Sequence, residues 1–306
     1  MALLSPVPEE AGFGSLRLRG ESRESVPRFR HNPSLELGLN LFFARLERSA
    51  DWALLVDYDG TLAPLTANRH AALPYPGVLE ELRRVIEISP DRVSIVSGRP
   101  LQDLEAILAG RLPRRPNLWG SHGLERLTSQ GLYSAIRIPA RSRDFVDDAF
   151  LWICARGWSR FVERKPFGLA LHGRGTRRGR FGAVCRCVCR RFASGARRSG
   201  LQIVAFDGGL EFRPAGRHKG QVIDRVFEEL DRDPAVAYLG DDATDEDAFE
   251  ALRGRGLAVL VRRAPRPTRA DAWLKPPEEL RDFLERWRRA VTSRRTLRDR
   301  AVRRAG

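Results

Sequence analysis

The chain has 306 residues, enough for about two domains at ~150 residues each, either with a full core. Hydrophobic residues make up 42% and charged residues 30%, which excludes wholesale disorder; no stretch approaches the ~18 apolar residues of a membrane span, and the N-terminus lacks the pattern of a secretory signal. The net charge is +15, but Lys165, Lys219 and Lys275 are the only lysines among 54 basic residues, an arginine skew that a GC-rich coding bias produces, so the charge is discounted as a sign of nucleic acid.

A soluble, cytoplasmic protein is expected. Residues 1–33 have no apolar period and are expected to be a disordered leader. Leu35–Leu46 carries the period of an amphipathic helix. The run Trp52–Val56 predicts a buried strand ending at Asp57. Pro76 opens a helix through Ile88, where its missing N–H costs nothing. A second strand follows at Val93–Val96, a helix at Pro100–Leu108 closed by Gly110, and a third strand at Asn117–Trp119. Strands alternating with helices predict an α/β fold with a doubly wound parallel sheet.

The rhythm then changes. Leu132–Ile138 alternates, a helix runs through Phe145, Phe150 and Ile153, and Phe161–Glu163 and Gly168–His172 are strand-like. Arg177–Arg198 predicts a helix with a solvated basic face. Cys185, Cys187 and Cys189 lie too close together for a zinc or disulfide framework and are expected to be small apolar residues on that helix. Leu201–Ala205 and Leu210–Phe212 form an expected hairpin across Asp207-Gly208-Gly209. This is an α+β unit inserted in the chain. After Pro214 the first rhythm resumes, with a helix at 218–230, a strand at Ala235–Leu239, a helix at Thr244–Leu252 and a strand at Leu257–Val261. The expected division is a core from 34–126 and 214–285, an insertion at 127–213, and an arginine-rich tail at 286–306 that is either an exposed helix or disordered.

In an open parallel sheet, reactive groups collect at the carboxyl ends of strands. Asp57-Tyr58-Asp59-Gly60-Thr61 follows the first strand, Ser97-Gly98-Arg99 the second, and Gly240-Asp241-Asp242 a later one, while Lys219 opens a helix. Such acids can form a turn or a structural ion network. They also fit phosphoryl transfer. A carboxylate can attack phosphorus, a divalent cation offsets the repulsion among acids, and a second carboxyl group can protonate the leaving oxygen. A hydroxyl and a lysine can hold the remaining phosphate oxygens, and a glycine at position 60 lets the backbone turn close to a ligand.

These four segments, in this order, resemble the motifs of the haloacid-dehalogenase-like phosphatases, and the insertion resembles that superfamily's type 2 cap. Within it the chain is similar to the trehalose-6-phosphate phosphatases, through Gly120–Glu125, Val162–Lys165, Leu171-His172 with Arg174, and Leu210–Pro214. The resemblance covers roughly residues 50–285. It implies a Mg²⁺-dependent hydrolysis of trehalose 6-phosphate to trehalose and phosphate. Asp57 would be nucleophile and metal ligand, and Asp59 acid/base, with its backbone carbonyl on the metal. Asp241 would complete the protein ligands, supported by Asp242 and Asp245. Thr61, Ser97 and Lys219 would hold the phosphate, and Glu125, Lys165 and Glu211 the sugar.

Some roles have two readings. Glu125 is a sugar contact or an inter-domain ion pair. Arg99 positions its turn or pairs with an acid. Asp247 belongs to the acidic motif or forms a capping box with Thr244. His122 and His172 are expected to be structural. The chain departs from the family at Gly173, where an aromatic is usual, and at His218, where Asn is common. The implied partner is a small-molecule substrate, with neither nucleic acid nor membrane, and a monomer is expected. The alternatives are a phosphatase for a sucrose-, mannosyl- or glucosylglycerate-type phosphate, and a basic nucleic-acid-binding protein.

Overall fold

The computed structural model describes residues 33–66, 71–173, 176, 178–206 and 208–305. Residues 1–32 of the expected leader, and Arg174, lie outside the described residues. In chain order the elements are α1 (Pro33–Arg48), β1 (Trp52–Asp57), α2 (Pro76–Ile88), β2 (Val93–Val96), α3 (Leu101–Leu108), β3 (Asn117–Gly120), β4 (Glu125–Leu127) and β5 (Tyr133–Ala135). Next come α4 (Ala140–Ala155), β6 (Val162–Lys165), β7 (Gly168–His172), α5 (Arg178–Arg198), β8 (Leu201–Phe206) and β9 (Gly209–Pro214). The chain closes with α6 (Gly220–Glu228), β10 (Ala235–Gly240), α7 (Glu246–Leu252), β11 (Leu257–Val261), β12 (Ala272–Leu274) and α8 (Glu278–Ala305). Among the described residues, no helix is long and apolar enough to cross a membrane.

An eight-stranded sheet runs in the order β12-β11-β10-β1-β2-β3-β4-β5. The six strands from β12 to β3 are parallel, and β4 and β5 add antiparallel. This is the predicted doubly wound sheet. Strand β1 is buried along its whole length, and its side chains alternate between two apolar layers, as the pleat requires. Leu54 and Val56 pack with helices α1, α2, α3 and α8. Ala53 and Leu55 face α6 and α7. A third core joins α4 and α5 to an antiparallel sheet of order β6-β7-β9-β8.

Two boundaries differ from expectation. The chain from 127 does not open the inserted unit directly, because β5 first pairs with β4 in the large sheet, Leu127 opposite Tyr133. The segment from 286 is not a detached tail. Trp287 is fully buried, with ring centroids within 6.4 Å of those of Phe42, Phe43, Trp52 and Phe283. Val291 is buried too, and Arg294 donates to the Ser49 and Ala50 carbonyls. Arginine richness hid the apolar spacing at 283, 284, 287, 290 and 291, which marks one helical face.

Helix α5 has both predicted faces. Phe181, Val184, Val188 and Phe192 are buried with Cys185, while Arg186, Arg190, Arg191, Arg197 and Arg198 are exposed.

Candidate active site

Three parallel neighbours, β10, β1 and β2, end side by side and deliver Asp241, Asp57 and Ser97 to one edge. Asp57, Asp241 and Asp245 each have a carboxylate oxygen within 4.8 Å of the others, and all three are buried. Lys219, at the start of α6, donates to Asp57 Oδ1 at 2.5 Å and to Asp245 Oδ1 at 2.7 Å. Gly60 has φ +90°, and a Cβ there would overlap the Asp241 carboxylate. Glycine is therefore required at this turn.

The three acids differ in how fully their oxygens are used. Asp245 Oδ1 accepts from Lys219 and from the Tyr238 hydroxyl, and Oδ2 accepts from the Asp241 and Asp242 amides. Against the upward push of burial, Lys219 and these hydrogen bonds keep its carboxyl below the usual range. Burial pushes the carboxyls of Asp57 and Asp241 well above that range, and neighbouring carboxylates add to the push. Asp241 Oδ1 is buried without a hydrogen-bond partner among the described residues. A divalent cation fits this donor set: one ammonium cannot balance three buried carboxylates, and an acceptor is left over for coordination. Arg262 and Arg266 donate to the Asp241 carbonyl, and Arg266 also to that of Asp242, fixing this loop from behind.

The acidic run holds one correction. The capping box here pairs Asp242 with Asp245 at the turn Ala243–Asp245, not Thr244 with Asp247. Asp247 lies 3.8 Å from Arg213 instead.

Asp59 lines the same cavity but stands outside this acid cluster. Its two oxygens take a fork from Arg99, Nε at 2.7 Å and Nη2 at 2.5 Å, so the pairing reading of Arg99 holds. Thr61 and Ser97 are fully buried at the same edge. The Thr61 hydroxyl has no hydrogen-bond partner among the described residues, and Ser97 Oγ accepts from the Arg99 amide.

A cavity of about 400 Å³ connects these groups to the antiparallel sheet. Asp57, Asp59, Lys219 and Asp241 line one side, and Lys165, Glu211 and His172 the other. Lys165 Nζ donates to Glu211 Oε1 at 2.7 Å and to the Gly98 carbonyl at 2.9 Å. His122 Nε2 meets Glu211 Oε2 at 2.7 Å. Burial lowers the His122 ring to about 4 despite Glu211. Lys165 and His122 hold the Glu211 carboxyl well below its usual range, although burial opposes them. Lys165 supplies the positive charge of this trio, and a neutral His122 donates its Nε2–H.

Glu125 is not a cavity residue. Its Oε2 accepts from the Leu101 amide at 3.1 Å and the Ser121 hydroxyl at 2.7 Å. Helix α3 starts after Pro100 without a side-chain cap of its own, and Glu125 fills that need. This brace stands where the alternative reading had an inter-domain ion pair, and Glu125 makes no such pair among the described residues. At Gly173 a Cβ would overlap the Phe181 ring, so an aromatic of α5 already fills the space that a larger side chain at 173 would need.

Sequence reasoning passed over Tyr238, although a tyrosine in a buried strand needs a partner for its hydroxyl. It also passed over the contact of His172 with Glu163 at 2.8 Å and with the Phe206 ring, which only strand pairing creates.

The fold is that of the haloacid-dehalogenase-like class. A haloacid dehalogenase-like hydrolase from B. subtilis superposes with a TM-score of 0.54 at 13% identity, over 76% of this chain and 98% of that one. The C-terminal domain of a C. albicans trehalose-6-phosphate phosphatase superposes with a TM-score of 0.71 at 22% identity, over 87% of this chain and 99% of that one. The chain belongs to the trehalose-phosphatase family, whose model matches residues 55–275. It is 31% identical over 247 residues to a trehalose-phosphate phosphatase of Mycobacterium marinum, a match covering 76% of this chain and 60% of that protein.

Proposed function

We propose that the chain hydrolyses trehalose 6-phosphate to trehalose and inorganic phosphate, with Asp57 as nucleophile. Family membership and one observation carry this reading: a buried Asp57 held by Lys219, beside an unpartnered Asp241 oxygen, at the floor of a cavity.

In this reading Lys219 fixes Asp57 and meets a phosphate oxygen. Asp57 attacks phosphorus, and the bond from phosphorus to the sugar oxygen breaks. That oxygen takes the electron pair and a proton from Asp59. Water then attacks the aspartyl-phosphate, passes a proton to Asp59, and frees Asp57 and phosphate. Thr61 and Ser97 donate to the remaining phosphate oxygens. Asp57, Asp241 and the Asp59 carbonyl would hold Mg²⁺, with Asp242 and Asp245 in support, because the oxygens of Asp245 are already engaged. Bound Mg²⁺ supplies neutralisation of the charge on nucleophile and phosphate. Lys165 and Glu211 face the same cavity and would bind sugar hydroxyls.

Phosphate release from a panel of sugar phosphates, with and without Mg²⁺, tests the proposal. Trehalose 6-phosphate should be turned over best and only with the cation. A preference for a sucrose- or glycerate-linked sugar phosphate would move the substrate assignment. No release from any phosphate ester would remove the enzymatic reading.

A further inference from the structure

We propose that Arg99 is a positioning residue for Asp59, fixing the acid/base carboxyl group over the site; this rests on the function proposed above. The guanidinium occupies both Asp59 oxygens in a fork, and its side chain is only 4% exposed. A planar fork sets the rotation of a carboxyl group as well as its place, which a point charge does not. The Arg99 side chain also lies against the Tyr58 ring, 5.5 Å from its centroid.

The backbone behind this fork is fixed from several directions. The Arg99 amide donates to Ser97 Oγ, and the Arg99 carbonyl accepts from the Ser121 amide at 2.6 Å. The His122 amide donates to the Ser97 carbonyl, and Lys165 Nζ holds the Gly98 carbonyl. The His122 ring packs so closely on Gly98 that a Cβ there would overlap it. One short loop thus carries a phosphate-binding hydroxyl, a contact to the antiparallel sheet and the clamp on Asp59. A sugar that draws on Lys165 acts on the loop that aims Asp59.

Leaving groups separate positioning from a merely structural role. A sugar alkoxide needs a proton to depart, whereas an activated aryl oxide such as p-nitrophenolate does not. Arg99→Lys and Arg99→Gln keep much of the side chain's length but lose the fork. Positioned general acids contribute ~10²–10⁴-fold. On that scale each folded variant should lose at least ~10-fold in kcat on trehalose 6-phosphate at little-changed KM. On p-nitrophenyl phosphate the loss in the single-turnover release of p-nitrophenolate should be much smaller, because this first step needs no proton from Asp59, whereas the later attack of water uses Asp59 for both substrates. Asp59→Asn should show the same selectivity, and adding Arg99→Lys to it should cost no further factor, because both act through one carboxyl group.

Equal losses on both substrates in the single-turnover release of the leaving group, a rise in KM, or additive effects in the double variant would overturn the proposal. So would a melting temperature showing that neither Arg99 variant folds. A wild-type protein without activity on trehalose 6-phosphate, or an Asp59→Asn variant without selectivity, would instead break the underlying functional reading.

Discussion

At the residue scale, Asp57 and His122 carry separable tests. Asp57 lies 2.5 Å from Lys219, and phosphate monoester hydrolysis is among the slowest uncatalysed reactions, with accelerations up to ~10²¹-fold. Asp57→Asn keeps the shape and removes the nucleophile. Phosphate release should fall to background, with a native circular dichroism spectrum; retained turnover would exclude attack by Asp57. His122 gives a pH dependence. Its ring titrates near 4 in the fold against 6.5 as its ordinary value. Between these values the unfolded chain takes up a proton that the folded chain refuses. The contribution to stability is complete above pH 6.5 and is lost as pH falls toward 4. Its size is on the order of 3 kcal/mol at 1.36 kcal/mol per pH unit. The lowered Glu211 carboxyl acts in the same direction, losing its contribution as pH falls below 4.5, its ordinary value. Urea titrations from pH 7 to 4 should show this slope, and His122→Gln should flatten its upper part. An unchanged slope would place the titration elsewhere.

At the element scale, α8 shows how composition and placement part company. Its arginines suggest a solvated helix, yet Phe283, Leu284, Trp287, Ala290 and Val291 form one buried face. Burying a tryptophan among four aromatic neighbours makes the helix part of the core. Trp287→Ala should destabilise by about 3–5 kcal/mol, the usual cost of truncating a large buried aromatic. The measurement is a shift in urea midpoint at constant slope. Deletion of 291–306 should also lower stability, because it removes Val291 and the Arg294 bonds to the loop before β1. A truncated chain as stable as the full one would show that the end of α8 only rests on the surface.

At the scale of the whole molecule, the acid cluster sits where the two sheets face one cavity. Repulsion among Asp57, Asp241 and Asp245 is a cost of folding that a divalent cation would offset. Binding to the native state alone stabilises by about 2.7 kcal/mol at 100 times Kd. Mg²⁺ should therefore raise the melting temperature, and chelation should reverse the rise. Asp241→Asn should abolish the response and melt higher than the cation-free wild type, since it removes one buried charge. A wild-type melting temperature indifferent to Mg²⁺ would count against a cation at this cluster.

The sequence by itself determined the elements and the order of their chemistry. Buried runs predict strands, and the residues following β1, β2 and β10 lie at one edge because parallel strands bring their carboxyl ends together. Asp57, Ser97 and Asp241 were legible for that reason, and Lys219 as the residue that opens a helix. Only the tertiary structure decided partners. Arg99 is 40 positions from the Asp59 it clamps, Glu125 is 24 from the amide it accepts, and Glu211 is 89 from His122. It also decided that Asp245, with all its oxygens engaged, differs from Asp241, and that Trp287 belongs to the core. Periodicity reports which face of an element is apolar, through neighbours three or four residues away. The partner of a buried charge is set by whichever distant element packs against it, and local spacing carries no record of that meeting.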